Sequence, residues 1–205
     1  MDIKWIFFDV GSTLVDETLA QDHRAREMLE GKDITFSQFN EKRIELARLG
    51  LDGNSEAIKF FGLKKTPWHS EDEILYEDAR ATLDVLRGRG YKLGIIANQA
   101  TGTKERLEER GLGGYFQVIA ASAELGVAKP DREIFGIALA MAGCSPDEAA
   151  MVGDRLDNDI SPAKALGMTT VWIKQGLAVH QSDALGEGIA DHIIDNLYSL
   201  CEIFI

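Results

Sequence analysis

A chain of 205 residues suffices for one globular domain, or for one domain with a small insertion. With 45% apolar and 27% charged residues it can bury an ordinary core, and no apolar run approaches the roughly 18 residues that a membrane span requires. The formal net charge of −12, without a basic cluster, argues against a nucleic-acid partner and against binding to an anionic membrane surface.

Six short apolar segments are predicted as strands, because β-forming residues dominate them and turn residues bound them. Amphipathic helices are predicted between them over 78–87 and 131–142, and others begin at Ser145-Pro146 and Ser161-Pro162. Strands that alternate with helices form parallel sheets, so the predicted fold is a Rossmann-like α/β core with helices on both faces. The predicted strands are 3–8, 91–97, 116–120, 149–152, 169–173 and 192–194.

Residues 15–77 break this alternation and contain no predicted strand. A capping box formed by Thr35 and Gln38 begins one of the helices of this segment. We therefore predict a small all-helical cap inserted after the first strand, with 1–14 and 78–205 forming the α/β core. A cap in this place covers the carboxyl ends of the strands, where open α/β sheets bind their ligands. The predicted cap helices are 17–30, 36–48 and 54–61.

Polar residues stand at the ends of three predicted strands. Asp9 ends the first strand, Asn98 the second and Asp154 the fourth, while Lys129 lies in the connection after the third. If the first, second and fourth strands are neighbours, these side chains converge at one edge of the sheet. Two close carboxylates repel each other unless a cation lies between them, and Mg²⁺ suits such a set of oxygen ligands.

Four segments in order resemble the motifs of the haloacid dehalogenase superfamily. They are FFDVGSTL at 7–14, IIAN at 95–98, VAKPD at 127–131 and VGDRLDND at 152–159. The resemblance covers almost the whole chain, while the helical segment fits the family's small caps only in length and position. It implies a phosphatase-like hydrolase that acts on a small phosphorylated molecule.

The resemblance also implies roles for single residues. Asp9 would attack phosphorus and form an aspartyl-phosphate. Mg²⁺ would be held by Asp9, the backbone carbonyl of Gly11 and Asp154. Lys129, Asn98 and the backbone at Gly11 would bind the phosphoryl group, and Asp159 would orient Lys129 or a metal-bound water. The cap would open for substrate and close to exclude water.

Two positions depart from the family pattern. Many phosphatases of the superfamily carry a second aspartate two residues after the nucleophile, which protonates the leaving group and then activates water. Here that position is Gly11, and Asp16 or His23 are candidates to replace the missing carboxylate. Ala97 stands where the family usually has Ser or Thr, which leaves Asn98 as the side-chain donor for the phosphoryl group. Fold membership does not depend on these positions, but efficient turnover does.

Three functions therefore stay open on the sequence. A phosphatase of a small metabolite is preferred, while Gly11 and Ala97 favour a catalytically weak binding or regulatory protein. A 2-haloacid dehalogenase is the third, and Asp154 counts against it because the superfamily's dehalogenases usually lack that pair of residues. Asp9 breaks the first apolar stretch too early for a signal peptide, which predicts a cytoplasmic location. The distant Cys144 and Cys201 fit free thiols in a reducing compartment.

Overall fold

A parallel β-sheet forms the centre of the molecule. The structure is a computed structural model that describes residues 2–205. Its strands are β1 (Trp5–Phe8), β2 (Val15–Asp16), β3 (Ile74–Leu75), β4 (Lys92–Ala97), β5 (Phe116–Ala121), β6 (Ala149–Gly153), β7 (Thr169–Ile173) and β8 (His192–Ile194). Six of them form one parallel sheet in the order β5-β4-β1-β6-β7-β8, and β2 pairs antiparallel with β3.

Helices connect the strands and cover both faces of this sheet. They are α1 (Thr18–Leu29), α2 (Phe36–Arg48), α3 (Gly53–Phe60), α4 (Ala79–Gly88), α5 (Thr103–Glu109), α6 (Ser122–Leu125), α7 (Arg132–Ala142), α8 (Ser161–Leu166) and α9 (Leu200–Ile203). Leu156–Ile160 forms one π-helical turn. None of the helices in residues 2–205 combines the length and the apolar character needed to cross a bilayer.

Alternation along β1 explains why the sheet is buried on both faces. Successive side chains of a strand point to opposite faces. Ile6 and Phe8 pack with the cluster that includes α4, whereas Trp5 and Phe7 pack with the cluster that includes α7. A strand covered on both faces must be apolar throughout, which is why a continuous apolar run predicts it. The predicted α/β fold class is confirmed by this architecture.

The three helices between β2 and β3 have an apolar cluster of their own. It is built from α1, α2 and α3, with Met28, Phe39 and Ile58 among its members. Helix α2 begins at the predicted capping box, in which Thr35 Oγ1 accepts from the Gln38 backbone N–H and the Gln38 side chain accepts from Thr35 N–H. The segment therefore folds as a compact helical unit above one end of the sheet.

Some local predictions are wrong. Residues 15–77 do contain strands, since β2 and β3 lie at the two ends of the segment. The sequence pattern did not predict them because a strand of two residues is too short to show an alternation of apolar and polar side chains. Ser145-Pro146 begins only a 3₁₀ turn over Pro146–Glu148, since β6 starts directly after it. Helix α5 has no predicted counterpart because Leu107 is its only large buried apolar residue.

Candidate active site

The carboxyl ends of three neighbouring strands bring the candidate residues together. β1 lies between β4 and β6, so Asp9, Asn98 and Asp154 follow adjacent strands and reach the same edge of the sheet. The Asp9 backbone N–H donates to the Val152 carbonyl at 2.9 Å and extends the β1–β6 ladder by one residue. The position of the Asp9 backbone is therefore fixed by the sheet itself.

Lys129 joins two of the carboxylates. Its side chain is fully buried, and its Nζ lies 2.8 Å from Asp9 Oδ1 and 2.7 Å from Asp159 Oδ1. The Asn98 side chain holds the lysine backbone from both sides, because Nδ2 donates to the Lys129 carbonyl at 2.9 Å and Oδ1 accepts from the Lys129 N–H at 2.8 Å. Asn98 thus positions Lys129, and a contact with a phosphoryl group would have to use the second hydrogen of Nδ2.

Asp159 is buried beneath this site and held by the loop that follows β6. Its Oδ2 accepts from the Arg155 backbone N–H at 3.0 Å, and Asn158 Nδ2 donates to Oδ1 at 3.2 Å. A β-carbon at position 153 would lie 2.5 Å from Asp159 Oδ2. Only glycine leaves room for this carboxylate, which gives a physical reason for the glycine before Asp154.

The site carries more negative than positive charge. One oxygen each from Asp9, Asp154 and Asp159 lies within 4.8 Å of the other two, against the single ammonium of Lys129. Burial, together with the charges of Asp159 and Asp9, raises the pKa of Asp154 well above its usual range. Burial would lower the pKa of Lys129, but Asp159 and Asp9 outweigh it and raise that pKa, so the lysine stays protonated. A hard divalent cation with oxygen ligands fits this donor set.

A cavity of about 270 Å³ lies between this edge of the sheet and the three cap helices. Asp9, Gly11 and Asp154 line its floor, while Arg24 of α1 and Phe39 of α2 line it from above. Arg155 Nη1 contacts Asp52 Oδ2 at 2.8 Å and links the loop after β6 to the start of α3. Asp9, Gly11, Asn98 and Asp154 therefore face a cavity suited to a small molecule, while Lys129 and Asp159 are not among the described residues that line it.

The similarity to known proteins agrees with this geometry. A sequence profile described as haloacid dehalogenase-like hydrolase matches residues 3–167, well over half of the chain. This chain belongs to the haloacid dehalogenase-like hydrolases. The predicted superfamily is thereby confirmed. The match spans the segments that contain Asp9, Asn98, Lys129, Asp154 and Asp159.

Relatives of this haloacid dehalogenase-like hydrolase include named phosphatases. A glyceraldehyde 3-phosphate phosphatase of Pyrococcus furiosus is 31% identical, over 98% of this chain and 92% of that protein. A phosphoserine phosphatase of Thermus thermophilus is 37% identical over 54% of this chain, but the match covers only 45% of that protein. The crystal structure of a phosphatase from Thermococcus onnurineus superposes with a TM-score of 0.65 at 28% identity, covering 99% of this chain and 97% of that one. The prediction of a phosphatase-type hydrolase is confirmed.

Glu17 is a site residue that the sequence prediction missed. It precedes α1 and lines the cavity with Asp9, whereas neither Asp16 nor His23 is among the described residues that line it. Burial, followed by the charge of Asp9, raises the pKa of Glu17 to about 8. The sequence signal that could have led to it is the glycine at position 11, which leaves a space that a nearby carboxylate can occupy.

Proposed function

We propose that this chain hydrolyses a phosphomonoester of a small metabolite, with Asp9 as the nucleophile. The observation that carries the proposal is the pairing of Asp9, which lines the cavity, with the buried ammonium of Lys129 at 2.8 Å. This contact fixes the orientation of the Asp9 carboxylate, which lines the cavity. The Pyrococcus and Thermus relatives are named for glyceraldehyde 3-phosphate and phosphoserine, which supports a substrate of similar size.

The reaction would proceed in two displacements. Asp9 attacks phosphorus while the bond to the leaving oxygen breaks, and water then attacks the aspartyl-phosphate and regenerates Asp9. Lys129 binds the phosphoryl oxygens and offsets their charge, and Asp159 orients Lys129. Asn98 and the backbone at Gly11 complete the phosphoryl site. Phosphoryl transfer depends mainly on such positioning and electrostatic stabilisation.

Mg²⁺ is the cation proposed for the acidic cluster. Asp9, Asp154 and the carbonyl of Gly11 would hold it, since hard oxygen ligands are what this ion prefers. When bound, it neutralises phosphate charge and lets an anionic nucleophile approach. The excess of carboxylates around Lys129 supports this assignment independently of the family.

The size of the cavity and the net charge of the chain restrict the class of substrate. A space of about 270 Å³ beneath the cap helices suits a small phosphorylated molecule and has no room for a folded macromolecule. The net charge of −12 also opposes a nucleic-acid partner. A cytoplasmic location, where phosphorylated metabolites occur, stays a prediction from the sequence.

Mg²⁺ binding should raise the unfolding temperature of the protein, and this rise should depend on Asp154 as a ligand of the ion. At a concentration about 100 times the Kd, a ligand stabilises the folded state by about 2.7 kcal/mol. For a chain of this length that corresponds to a rise of roughly 5–10 °C. Differential scanning calorimetry with Mg²⁺ and with chelator measures it. Asp154→Asn should abolish the rise in unfolding temperature. The control Asp157→Asn changes an exposed carboxylate of the same loop and should retain it. Equal rises in the two variants would contradict the assignment of Asp154 as a metal ligand.

Phosphatase activity should require the metal. The test is release of inorganic phosphate from an aryl phosphate and from a panel of phosphorylated metabolites, with Mg²⁺ and with chelator. We expect turnover only with Mg²⁺. Halide release from a 2-haloacid in chelator would favour a dehalogenase instead. Folded protein that binds Mg²⁺ but hydrolyses no member of the panel would favour the binding function that Gly11 and Ala97 suggest.

A further inference from the structure

The side chain of Glu17 occupies the space beside Gly11. A β-carbon built on Gly11 would lie 2.3 Å from Glu17 Oε1 and 2.6 Å from Glu17 Cδ. Any residue other than glycine at position 11 would therefore require the Glu17 carboxyl group to move from this place. The position that holds an aspartate in many phosphatases of the superfamily is here filled by a carboxyl group that arrives from six residues further along the chain.

Local structure holds Glu17 in this place. The chain turns sharply after β1, with Val15 N–H donating to the Val10 carbonyl at 3.0 Å and Gly11 bridging to Val15. This turn brings the start of α1 back beside Gly11, two residues after Asp9. Gln21, one helical turn further on, donates from Nε2 to Glu17 Oε2 at 3.4 Å. The other oxygen, Oε1, is the one nearest Gly11.

We propose that Glu17 is the proton donor and acceptor of this active site. The inference rests on the proposed function and assigns the role for which Gly11 has no side chain. As Asp9 attacks phosphorus, the bond from phosphorus to the substrate oxygen breaks, and that oxygen takes the proton of the Glu17 carboxyl. The resulting Glu17 carboxylate then takes a proton from water while the water oxygen attacks the aspartyl-phosphate. Breaking of the bond from phosphorus to Asp9 releases phosphate and restores the Asp9 carboxylate, while Glu17 is again protonated.

The other candidates for this role are engaged elsewhere. Asp16 Oδ1 accepts from the Thr18 backbone N–H at 2.8 Å and thereby supports the first turn of α1. The His23 ring contacts Asp72 at 2.7 Å and stacks on His69 at a centroid distance of 3.8 Å. Glu17, in contrast, lines the same cavity as Asp9 and Asp154. Of the groups weighed for this role, only Glu17 reaches the space where the reaction takes place.

Glu17→Gln tests the proposal because it keeps the shape of the side chain and removes the transferable proton. General acid catalysis typically contributes about 10²–10⁴-fold, so kcat/KM for an alkyl phosphate should fall by that factor. 4-Nitrophenyl phosphate has an acidic leaving group that departs as its anion, and its kcat/KM should fall by less than about tenfold. A merely structural role would lower the two values equally, and that result would overturn the proposal.

Pre-steady-state kinetics give a second readout. With an aryl phosphate, Glu17→Gln should release one equivalent of phenol in a burst and then turn over slowly, since the water that attacks the aspartyl-phosphate has lost its base. The matched control is Asp16→Asn, which alters the adjacent carboxylate and should change kcat/KM by less than about threefold. The absence of a burst together with a large effect of Asp16→Asn would overturn the assignment of Glu17.

A swap of the carboxylate provides the third test. Gly11→Asp alone should collide with Glu17, whereas Gly11→Asp combined with Glu17→Ala frees the space and moves a carboxylate to position 11. We expect the double variant to exceed Glu17→Ala in alkyl-phosphate turnover by at least about tenfold.

Metal binding is measured separately from proton transfer. Mg²⁺ should raise the unfolding temperature of Glu17→Gln as much as that of the wild type, because Glu17 is assigned to proton transfer and not to the metal site. Turnover that needs Asp9 but is indifferent to Glu17→Gln would overturn this inference alone, while turnover without Asp9 would overturn the proposed function.

Discussion

Asp9→Asn should lower phosphatase turnover by at least about 10⁴-fold, since loss of a covalent nucleophile removes the whole two-step pathway. Asparagine has the same shape but is a far poorer nucleophile toward phosphorus. Its Oδ1 can still accept from Lys129 Nζ, and its backbone N–H can still donate to Val152, so the fold should be retained. Steady-state assays on the best substrate of the panel measure the loss.

A control and a chemical trap make this prediction specific. Asp157→Asn changes an exposed carboxylate in the loop after β6 and should alter kcat by less than about threefold. Acid-quenched wild-type protein should carry a phosphoryl adduct on the peptide that contains Asp9, and Asp9→Asn should carry none. Turnover of Asp9→Asn near the wild-type rate would rule out covalent catalysis by this residue and leave the metal site to act on water directly.

The part of the site at the strand ends could be predicted from the sequence. β1 is buried on both faces, so its residues form an uninterrupted apolar run, and the first polar residue after it marks the edge of the sheet. The same reasoning locates Asp154 after β6. Sequence pattern alone did not order the strands in space. That order, with β1 between β4 and β6, is what brings the two carboxylates together.

Contacts made through irregular backbone could not be predicted in this way. Glu17 reaches Gly11 because residues 10–15 turn tightly, and Ser12 adopts a φ of 52° within that turn. Serine carries no signal for positive φ, a region that favours glycine. The sequence predicts that Asn98 binds phosphate, but it does not predict that the Asn98 side chain also bonds to the Lys129 backbone, a partner 31 positions away. Such pairings depend on tertiary structure and leave no local period.

The π-helical turn at Leu156–Ile160 is a second irregular backbone feature that the sequence did not predict. The acidic run by itself indicates a loop of carboxylates after β6, and only the family resemblance singles out Asp159 as the one that orients Lys129. The turn buries Asp159 and leaves Asp157 exposed, although both belong to one short acidic run. The inward orientation is fixed by the Arg155 N–H and by the space over Gly153. π-helical turns often occur at functional sites, and here the turn aims a carboxylate at Lys129.

Lys129→Met should destabilise the folded state by about 3–5 kcal/mol, because it removes the positive partner of a buried ion pair and leaves the other charge unpaired. The side chains of Lys129 and Asp159 are both 0% exposed, so water cannot replace the lost partner. The loss of the ammonium also removes the cation that contacts two of the three neighbouring carboxylates. Urea unfolding in chelator measures the difference, since a bound cation would mask part of it.

Lys164→Met is the matched control for this measurement. Lys164 pairs with Asp191 on the surface, where the two side chains are 41% and 35% exposed, and such pairs contribute about 0–1 kcal/mol. Adding Asp159→Asn to Lys129→Met should recover part of the lost stability, because it removes the charge that was left unpaired. If Lys129→Met lowers the free energy of unfolding by no more than Lys164→Met does, the buried ion pair of Lys129 does not stabilise the folded site. A large loss that Asp159→Asn partly reverses would mean that the lysine predicted to bind phosphate also keeps three carboxylates together in the folded protein.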